Sequence, residues 1–297
     1  MRYCFAVPIR DKAKYLRRTV RAVLQQDSQP LELIFSDQRS TDGSWEILHD
    51  EVTKYDGPHK VRVLRCPETS LRGMPGLNEH LNWIHNQTDA EVFISSAADD
   101  VPHKARARLT IEAFEKHNPS MVITAMWFAN PDGSYGGETG FPTEEGWVKV
   151  EDVYTKFVGG STTQAWTRAF YEKIGGLQGV GSPDMVLPFL AILDKGAYFL
   201  PHKLHTYCKT VDEHNTGLEG VYAAAKDENE KLALEELMHF QVLAGIFTAS
   251  LKMQEAGLIT QEANNALIEQ ILDRSASWQN TRQKMSLLKI QPRMFKT

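Results

Sequence analysis

The chain has 297 residues, of which 42% are hydrophobic, 24% charged and 9% aromatic. This composition is typical of a globular protein and excludes a collagen, a coiled coil and a disordered chain. The 33 basic and 38 acidic residues give a formal net charge of -5, which argues against a protein that holds nucleic acid by bulk positive charge. The three cysteines are isolated in sequence and indicate a reducing compartment. Because the apolar runs are too short for a signal peptide or a membrane span, we expect a soluble, cytoplasmic protein.

In the first third of the chain, short apolar runs alternate with segments of helical periodicity. The apolar runs predict strands at Tyr3–Val7, Leu31–Ser36, Val61–Arg65 and Glu91–Ser96. The residues at helical spacing between them are Leu16, Val20, Val23 and Leu24, then Trp45, Ile47 and Leu48, then Leu77, Leu81 and Ile84. Asp11 is the expected N-cap of the first helix. Alternating strands and helices favour a mostly parallel sheet, in which ligands bind beyond the carboxyl ends of the strands.

The same alternation continues through the middle of the chain and then gives way to helices. The predicted elements are a helix at Ala105–His117, a strand at Met121–Phe128, a hairpin turn at Asn130–Ser134, a helix near Asp184–Leu193, and strands near Tyr198–Leu200 and Leu204–Lys209. From about Tyr222 the periodicity is helical only, and Thr260 is the expected N-cap of a late helix. We therefore predict an α/β domain over residues 1–217 and a C-terminal helical extension over residues 218–297.

Acidic residues follow two of the predicted strands. Asp37 ends the second strand, and the doublet Asp99-Asp100 follows the fourth. Adjacent carboxylates repel each other, so they require a cation or hydrogen-bond donors. A divalent metal that also binds a diphosphate meets this requirement. The alternative is that Asp99 or Asp100 only caps the helix that begins near His103.

The pattern around these residues resembles the family 2 glycosyltransferases, which have the GT-A fold. The matching segments are Val7–Lys12, Leu24–Gln26, Leu31–Asp37, Ser40–Ser44, Leu81-Asn82, Ala98–Asp100, Gly159–Ser161, Ile174–Leu177, Asp184 and His214-Asn215. The resemblance covers roughly residues 3–217. It implies a nucleotide-sugar half over residues 1–102, an acceptor half over residues 103–217, and transfer of a sugar with inversion.

The resemblance also implies roles for individual residues. Pro8, Arg10 and Asn82 would line the donor site, with Asp37 and Gln38 on the base and Asp99 on the ribose. Apart from the resemblance, Arg72 in the polar loop Ser70–Gly73 is a candidate for the diphosphate, and a solvated loop charge is the alternative. Asp99 or Asp100 would hold Mn²⁺ or Mg²⁺, and His214 would bind the metal or a phosphate. The metal would neutralise the departing nucleoside diphosphate. Asp184 would be the general base that deprotonates the acceptor hydroxyl.

This chain departs from the family pattern at four of these positions. Gln38 stands where a second Asp is common, and Arg10 where an aromatic residue is common, so a UDP-sugar is the expected donor but its base is open. Ala97 replaces the first carboxylate of a full DxD motif, which weakens the expected metal affinity. Pro183 replaces an acidic residue before Asp184.

Two other functions are weighed against the transferase. A nucleotide-sugar-binding module that has lost turnover is compatible with Gln38, Ala97 and Pro183. A sugar-phosphate nucleotidyltransferase calls for a glycine-rich loop after the first strand, where this chain has Pro8–Asp11. The acceptor is open between saccharide, lipid, protein and a modified nucleobase in DNA, and so is the oligomeric state. A nucleic-acid acceptor would need the cations of the Arg10–Arg21 segment or of the tail Arg282–Lys296.

Overall fold

A computed structural model describes residues 1–67, 73–138, 144–149, 160–177 and 183–209, together with 227, 230 and most of 244–274. The predicted α/β class is confirmed, since helices flank a ten-stranded mixed sheet. The predicted boundary at residue 217 lies outside the described residues, as do Arg72, His214 and the basic tail. Within the described part of the chain, no helix is long and apolar enough to cross a membrane.

Among the described residues, the predicted strands and helices are present with small shifts at their ends. The strands are β1 (Tyr3–Ile9), β2 (Glu32–Asp37), β3 (Lys60–Arg65), β4 (Val92–Ser95), β5 (Val101–Pro102), β6 (Met121–Ala129), β7 (Tyr135–Glu138), β8 (Gly146–Trp147), β9 (Gln164–Thr167) and β10 (Ala197–Cys208). The helices are α1 (Ala13–Leu24), α2 (Ser44–Val52), α3 (Gly73–His85), α4 (Arg106–His117), α5 (Arg168–Lys173), α6 (Pro183–Leu193) and α7 (Gln261–Arg274), with a 3-10 turn at Ser161–Thr163. The short strands β5, β7, β8 and β9 and the helix α5 were not predicted. The two late strands expected near Tyr198 and Leu204 are one strand, β10, which is irregular around Lys203.

The sheet has the order β3-β2-β1-β4-β9-β6-β10-β5. Strands β1 to β4 are parallel to their neighbours in this group, whereas β9 runs antiparallel between β4 and β6. Helices α1 and α4 cover one face through buried residues such as Val20 and Phe114. Helices α3 and α6 cover the other through Leu81 and Leu190. The carboxyl ends of β1, β2 and β4 therefore lie at one edge of the sheet.

Strand β1 contains a proline, which is unusual for a strand with a neighbour on each side. Pro8 pairs with Ser36 of β2, but the pairing of β1 with β4 ends at Ala6. On the β4 side no ladder hydrogen bond is therefore required of Pro8, which has no N–H to donate. The strand ends at Ile9, two residues beyond its predicted end at Val7. Arg10 therefore lies at the edge of the sheet.

The start of α1 is capped by a different residue from the one expected. Asp11 has a φ of 49° and accepts the Thr41 N–H at 2.8 Å instead of capping the helix. The Asp42 carboxylate accepts the Ala13 N–H at 2.8 Å through Oδ2 and the Ser44 N–H at 3.0 Å through Oδ1. One carboxylate therefore satisfies the first turns of both α1 and α2. The late cap at Thr260 is confirmed, since its hydroxyl accepts the Ala263 N–H at 3.2 Å.

We expect Asp42→Ala to lower the free energy of unfolding by about 1 kcal/mol, as when an N-cap is lost, because the first N–H groups of α1 and α2, on Ala13 and Ser44, lose their acceptor. Partial burial opposes ionisation of Asp42, but the hydrogen bonds from Ser44 and Ala13 lower its pKa. The difference should therefore shrink as the pH falls below the ordinary range of an aspartate. Urea unfolding of the wild-type and Asp42→Ala proteins at several pH values measures this difference in the free energy of unfolding. Asp132→Ala is the matched control, because Asp132 makes the same kind of turn to Ser134 without capping a helix. Equal losses in the two variants would contradict the assignment.

Candidate active site

The strand register brings the predicted donor-site residues to one edge of the sheet. Ile9 pairs with Asp37, and Ala6 pairs with Ser95, so β1, β2 and β4 end side by side. Arg10 follows β1, Asp37 is the last residue of β2, and the doublet Asp99-Asp100 follows β4 after a short loop. These residues therefore lie at the same edge of the sheet, and their role in binding a ligand stays a prediction.

Asp37 and Gln38 present two polar atoms that lack a hydrogen-bond partner among the described residues. Asp37 is fully buried; its Oδ2 accepts the Ser40 N–H at 3.2 Å, whereas Oδ1 has no such partner. Gln38 is 4% exposed; its Oε1 accepts from Arg10 Nη1 at 3.2 Å, whereas Nε2 has no acceptor. Other buried side-chain atoms of the described residues also lack a partner, so these two are informative mainly through their place. They belong to adjacent residues at the carboxyl end of β2, where parallel sheets bind ligands.

Arg65 is a site residue that the sequence analysis missed. It ends β3 beside β2, and its Nε lies 3.6 Å from Asp37 Oδ2. Its guanidinium also stacks over the Trp45 ring, 4.5 Å from the centroid. The available signal was its position as the last residue of a predicted strand at the ligand-binding edge.

Helix α1 holds the backbone of the acidic doublet. Arg18 Nη2 donates to the Asp99 carbonyl at 2.8 Å. The buried Thr19 hydroxyl lies 3.0 Å from the Ala98 carbonyl and 2.7 Å from that of Asp100. The loop after β4 is therefore fixed by side chains about 80 residues earlier in the chain.

The two carboxylates of the doublet point to different environments. Asp99 Oδ2 lies 2.9 Å from Lys12 Nζ, and the two side chains are 15% and 10% exposed. Burial and the neighbouring Asp100 raise the pKa of Asp99, and Lys12 opposes that rise. Lys12 was also missed by the sequence analysis, although it stands two residues after Arg10. It supplies the cation that the predicted repulsion within the doublet requires.

Asp100 is enclosed by protein groups, which counts against the expectation that it holds a metal. Its side chain is fully buried, Oδ2 lies 3.0 Å from His205 Nε2, and Oδ1 accepts the Cys208 N–H at 2.9 Å. Burial raises the pKa of Asp100 to about 7. A metal would have to displace partners from both oxygens. The capping alternative is also wrong, because α4 begins after Ala105 without any side-chain cap.

Asp184 lies in the first turn of α6 and is tied to the same edge. Gln164 Nε2 donates to the Asp184 carbonyl at 2.9 Å. Gln164 opens β9, and the pairing of Ala165 with Ile94 puts it level with the end of β4. The start of β9 therefore places the predicted base next to the end of β4, the strand that precedes the doublet.

Asn82 lies away from the donor edge, which is also a correction. Asn82 is in the last turns of α3, one turn before His85. The His85 carbonyl accepts a hydrogen bond from Arg168, which also contacts Glu91 just before β4, so this end of α3 lies at the amino end of β4. Asn82 Oδ1 accepts the Leu177 N–H at 3.0 Å and the Tyr171 hydroxyl. A Cβ at Gly176, where φ is 70°, would lie 3.0 Å from that oxygen. Asn82 therefore holds the turn after α5.

The described residues contain no group of three or more His, Cys, Asp and Glu side chains arranged for a metal ion. Mg²⁺ and similar ions are usually held by one or two carboxylates together with substrate phosphates and water. Asp99 is the partly exposed carboxylate of the doublet, at 15%, and is therefore the one that a metal could reach. A metal ion there would have to displace the Lys12 ammonium, which lies 2.9 Å from Asp99 Oδ2.

The fold and this edge define a glycosyltransferase with the GT-A fold. The profile of the glycosyl transferase family 2 matches residues 4–162, and the chain belongs to that family. The structure resembles S. aureus TarS 1-349 in complex with UDP-GlcNAc, with a TM-score of 0.63 and 17% identity over 98% of this chain and 77% of that one.

Two further solved structures share the fold. The mannosyltransferase PcManGT from Pyrobaculum calidifontis, in complex with GDP-Man and Mn²⁺, has a TM-score of 0.52 and 16% identity over 96% of this chain and 83% of that one. GalNAc-T7 with UDP, GalNAc and Mn²⁺ has a TM-score of 0.60 and 14% identity over 93% of this chain and 57% of that one. A sequence comparison with curated proteins finds no match.

Proposed function

We propose that the chain transfers a sugar from a UDP-sugar to an acceptor hydroxyl, with inversion at the anomeric carbon. The observation that carries the proposal is the pair of unpaired polar atoms on Asp37 and Gln38, at the same edge as Asp99. Neighbours of the same fold were solved with UDP-GlcNAc or with UDP, which supports this donor class.

The base of the donor would pair with Asp37 and Gln38. Asp37 Oδ1 accepts a ring N–H, and Gln38 Nε2 donates to an adjacent carbonyl. Uracil presents this combination at N3–H and O4. Guanine presents it at N1–H and O6, so a GDP-sugar is the competing donor. Arg10, which holds Gln38 Oε1 at 3.2 Å, fixes the orientation of the amide.

Asp99 would hold Mn²⁺ or Mg²⁺, and Lys12 would serve the diphosphate. When bound, the metal supplies positive charge to the leaving nucleoside diphosphate without a proton transfer. In the free protein, Lys12 Nζ forms an ion pair with Asp99 Oδ2. When the donor binds, the Lys12 side chain can turn towards a phosphate oxygen. His214, which lies outside the described residues, stays a predicted second ligand.

Asp184 would remove the proton from the acceptor hydroxyl as its oxygen attacks the anomeric carbon. Its carbonyl is bonded to Gln164, which fixes the first turn of α6 at the donor edge. Inversion requires attack on the face opposite to the diphosphate, so the base and the diphosphate cations must approach the sugar from opposite sides. Asp184 on α6 and Lys12 before α1 meet that condition, because α1 and α6 cover opposite faces of the sheet.

The geometry gives little support to a nucleic-acid acceptor at α1. Arg17 is paired with Asp50 at 2.8 Å and also with Glu51, and Arg21 Nε lies 2.6 Å from Glu51. The charges of Arg17 and Arg21 in this predicted basic cluster are therefore offset by α2, and that of Lys12 is offset by Asp99. A hydroxyl of a saccharide, lipid or protein is the acceptor class that we propose to assay first.

A thermal-shift screen tests the donor assignment. We expect UDP and a UDP-sugar to raise the melting temperature of the protein, and Mn²⁺ to increase that rise. A ligand at 100 times its Kd stabilises the folded state by about 2.7 kcal/mol. A larger shift with GDP would reassign the base, and no shift with any nucleoside diphosphate would overturn the proposal. UDP binding without UDP release in the presence of acceptors would favour the binding module.

A further inference from the structure

Behind the acidic doublet, three buried side chains form a continuous chain of hydrogen bonds. Arg106 Nη1 lies 3.0 Å from His205 Nδ1, and His205 Nε2 lies 3.0 Å from Asp100 Oδ2. Arg106 and Asp100 are fully buried, and His205 is 1% exposed. Neither Arg106 nor His205 belongs to the predicted site, and the proposed reaction gives them no role.

The partners of His205 determine where its proton lies. An arginine can only donate, so His205 Nδ1 must accept from Arg106, and the ring proton is on Nε2. His205 therefore donates to Asp100. Burial and the charge of Arg106 lower the pKa of His205 well below its ordinary value, which keeps the ring neutral. The chain thus connects one cation and one carboxylate through a neutral imidazole with a defined tautomer.

The chain joins three elements to the loop that carries the doublet. Arg106, the first residue of α4, also donates through Nη2 to the Ser95 carbonyl at the end of β4, at 2.5 Å. The Cys208 N–H, at the end of β10, donates to the other oxygen of Asp100 at 2.9 Å. Asp100 is therefore held from both sides. Because Asp99 is the chain neighbour of Asp100, these bonds help to fix the backbone from which the Asp99 side chain projects towards Lys12.

We infer that His205 is a positioning residue for the donor site, which acts by holding Asp100 so that Asp99 faces Lys12 and the bound diphosphate. The inference rests on the proposed function, because it states that the hydrogen bonds to Asp100 serve nucleotide binding. Residues that hold a ligating group commonly change affinity or activity by about 10- to 100-fold when they are replaced.

Two substitutions separate positioning from packing. His205→Leu removes both hydrogen bonds, so we expect the Kd for UDP with Mn²⁺ to rise by at least about tenfold. His205→Gln retains an acceptor for Arg106 and a donor for Asp100, so we expect its Kd to stay within about threefold of wild type. Isothermal titration with UDP and Mn²⁺ measures the affinities, and melting temperatures are recorded in parallel.

His85→Leu is the matched control, because His85 is a buried histidine in another part of the core. Its Nε2 accepts from Trp166 Nε1 at 3.0 Å and its ring stacks on Tyr171. We expect this variant to lose stability without losing UDP affinity. A His205→Leu protein that melts earlier but binds UDP as wild type does would overturn the inference.

A third variant covers the case in which His205→Leu does not fold. The shorter amide of His205→Asn cannot reach Arg106 and Asp100 together, so it should bind UDP more weakly than His205→Gln. Equal affinities in these two variants would also overturn the inference. If the wild-type protein binds no nucleoside diphosphate, the proposed function fails instead, and the two failures are distinguished.

Discussion

Asp184→Asn is expected to lower kcat by about 10²- to 10⁴-fold, which is the usual contribution of a general base. The amide keeps the size of the side chain but cannot take the proton of the acceptor hydroxyl. The variant should bind UDP as wild type does, because Asp37, Gln38 and Asp99 are unchanged. The measurement is UDP release in the presence of acceptor, alongside titration with UDP.

Asp194→Asn is the matched control for Asp184→Asn. Asp194 follows the other end of α6 and binds the Ser120 hydroxyl at 2.5 Å and Lys173 Nζ at 2.6 Å. Its loss should reduce stability and leave kcat within about twofold, since changes far from the reacting atoms remove no transition-state contact. Wild-type turnover in Asp184→Asn would exclude Asp184 as the base. A weakened affinity for UDP would instead place Asp184 in the donor site.

The sheet and its ligand-binding edge were predictable because they follow from local patterns. Apolar runs of strand length end at Asp37 and shortly before Asp99, and right-handed crossovers bring such ends together. Pro8 in β1 is also consistent with the rule that proline occupies strand positions where no N–H is needed, because the pairing of β1 with β4 ends at Ala6. The acidic residues at this edge could therefore be proposed without coordinates, whereas their basic partners Lys12 and Arg65 could not.

The different roles of Asp99 and Asp100 could not be predicted from the sequence. Two adjacent aspartates look alike in a sequence, and their environments come from residues far along the chain. Lys12 lies 87 positions before Asp99, and His205 lies 105 positions after Asp100. Burial of one carboxylate and ion pairing of the other are decided by tertiary packing, which periodicity does not encode.

The wrong expectations for Asp11 and Asn82 have a similar origin. The rule for N-caps names a residue type, and both Asp11 and Asp42 satisfy it. Asp42 is the residue that accepts the Ala13 N–H, because the loop between β2 and α2 brings it there from 29 positions later in the chain. The family resemblance placed Asn82 in the donor site. In the structure its side-chain carbonyl accepts the N–H of Leu177, 95 positions later in the chain.

Asp99→Asn is expected to remove the effect of Mn²⁺ on UDP binding and to lower kcat/KM by about 10³-fold or more, since charge stabilisation of a leaving group is worth several kcal/mol. The amide oxygen is a much weaker ligand than a carboxylate. The measurement is titration with UDP at increasing Mn²⁺, together with the initial rate of UDP release. An unchanged dependence on Mn²⁺ in Asp99→Asn would exclude Asp99 as the ligand.

The ion pair with Lys12 complicates this test and also supplies its control. Removing one member of a largely buried pair leaves an uncompensated charge, which destabilises a protein by about 3–5 kcal/mol. The double variant Lys12→Met, Asp99→Asn removes both charges, so it should recover most of that stability and still show no response to Mn²⁺. Lys12→Met alone should keep the Mn²⁺ response, because Asp99 is intact, and bind UDP more weakly. If the double variant regains the response to Mn²⁺ along with its stability, the loss in Asp99→Asn reflects folding and the metal is held elsewhere.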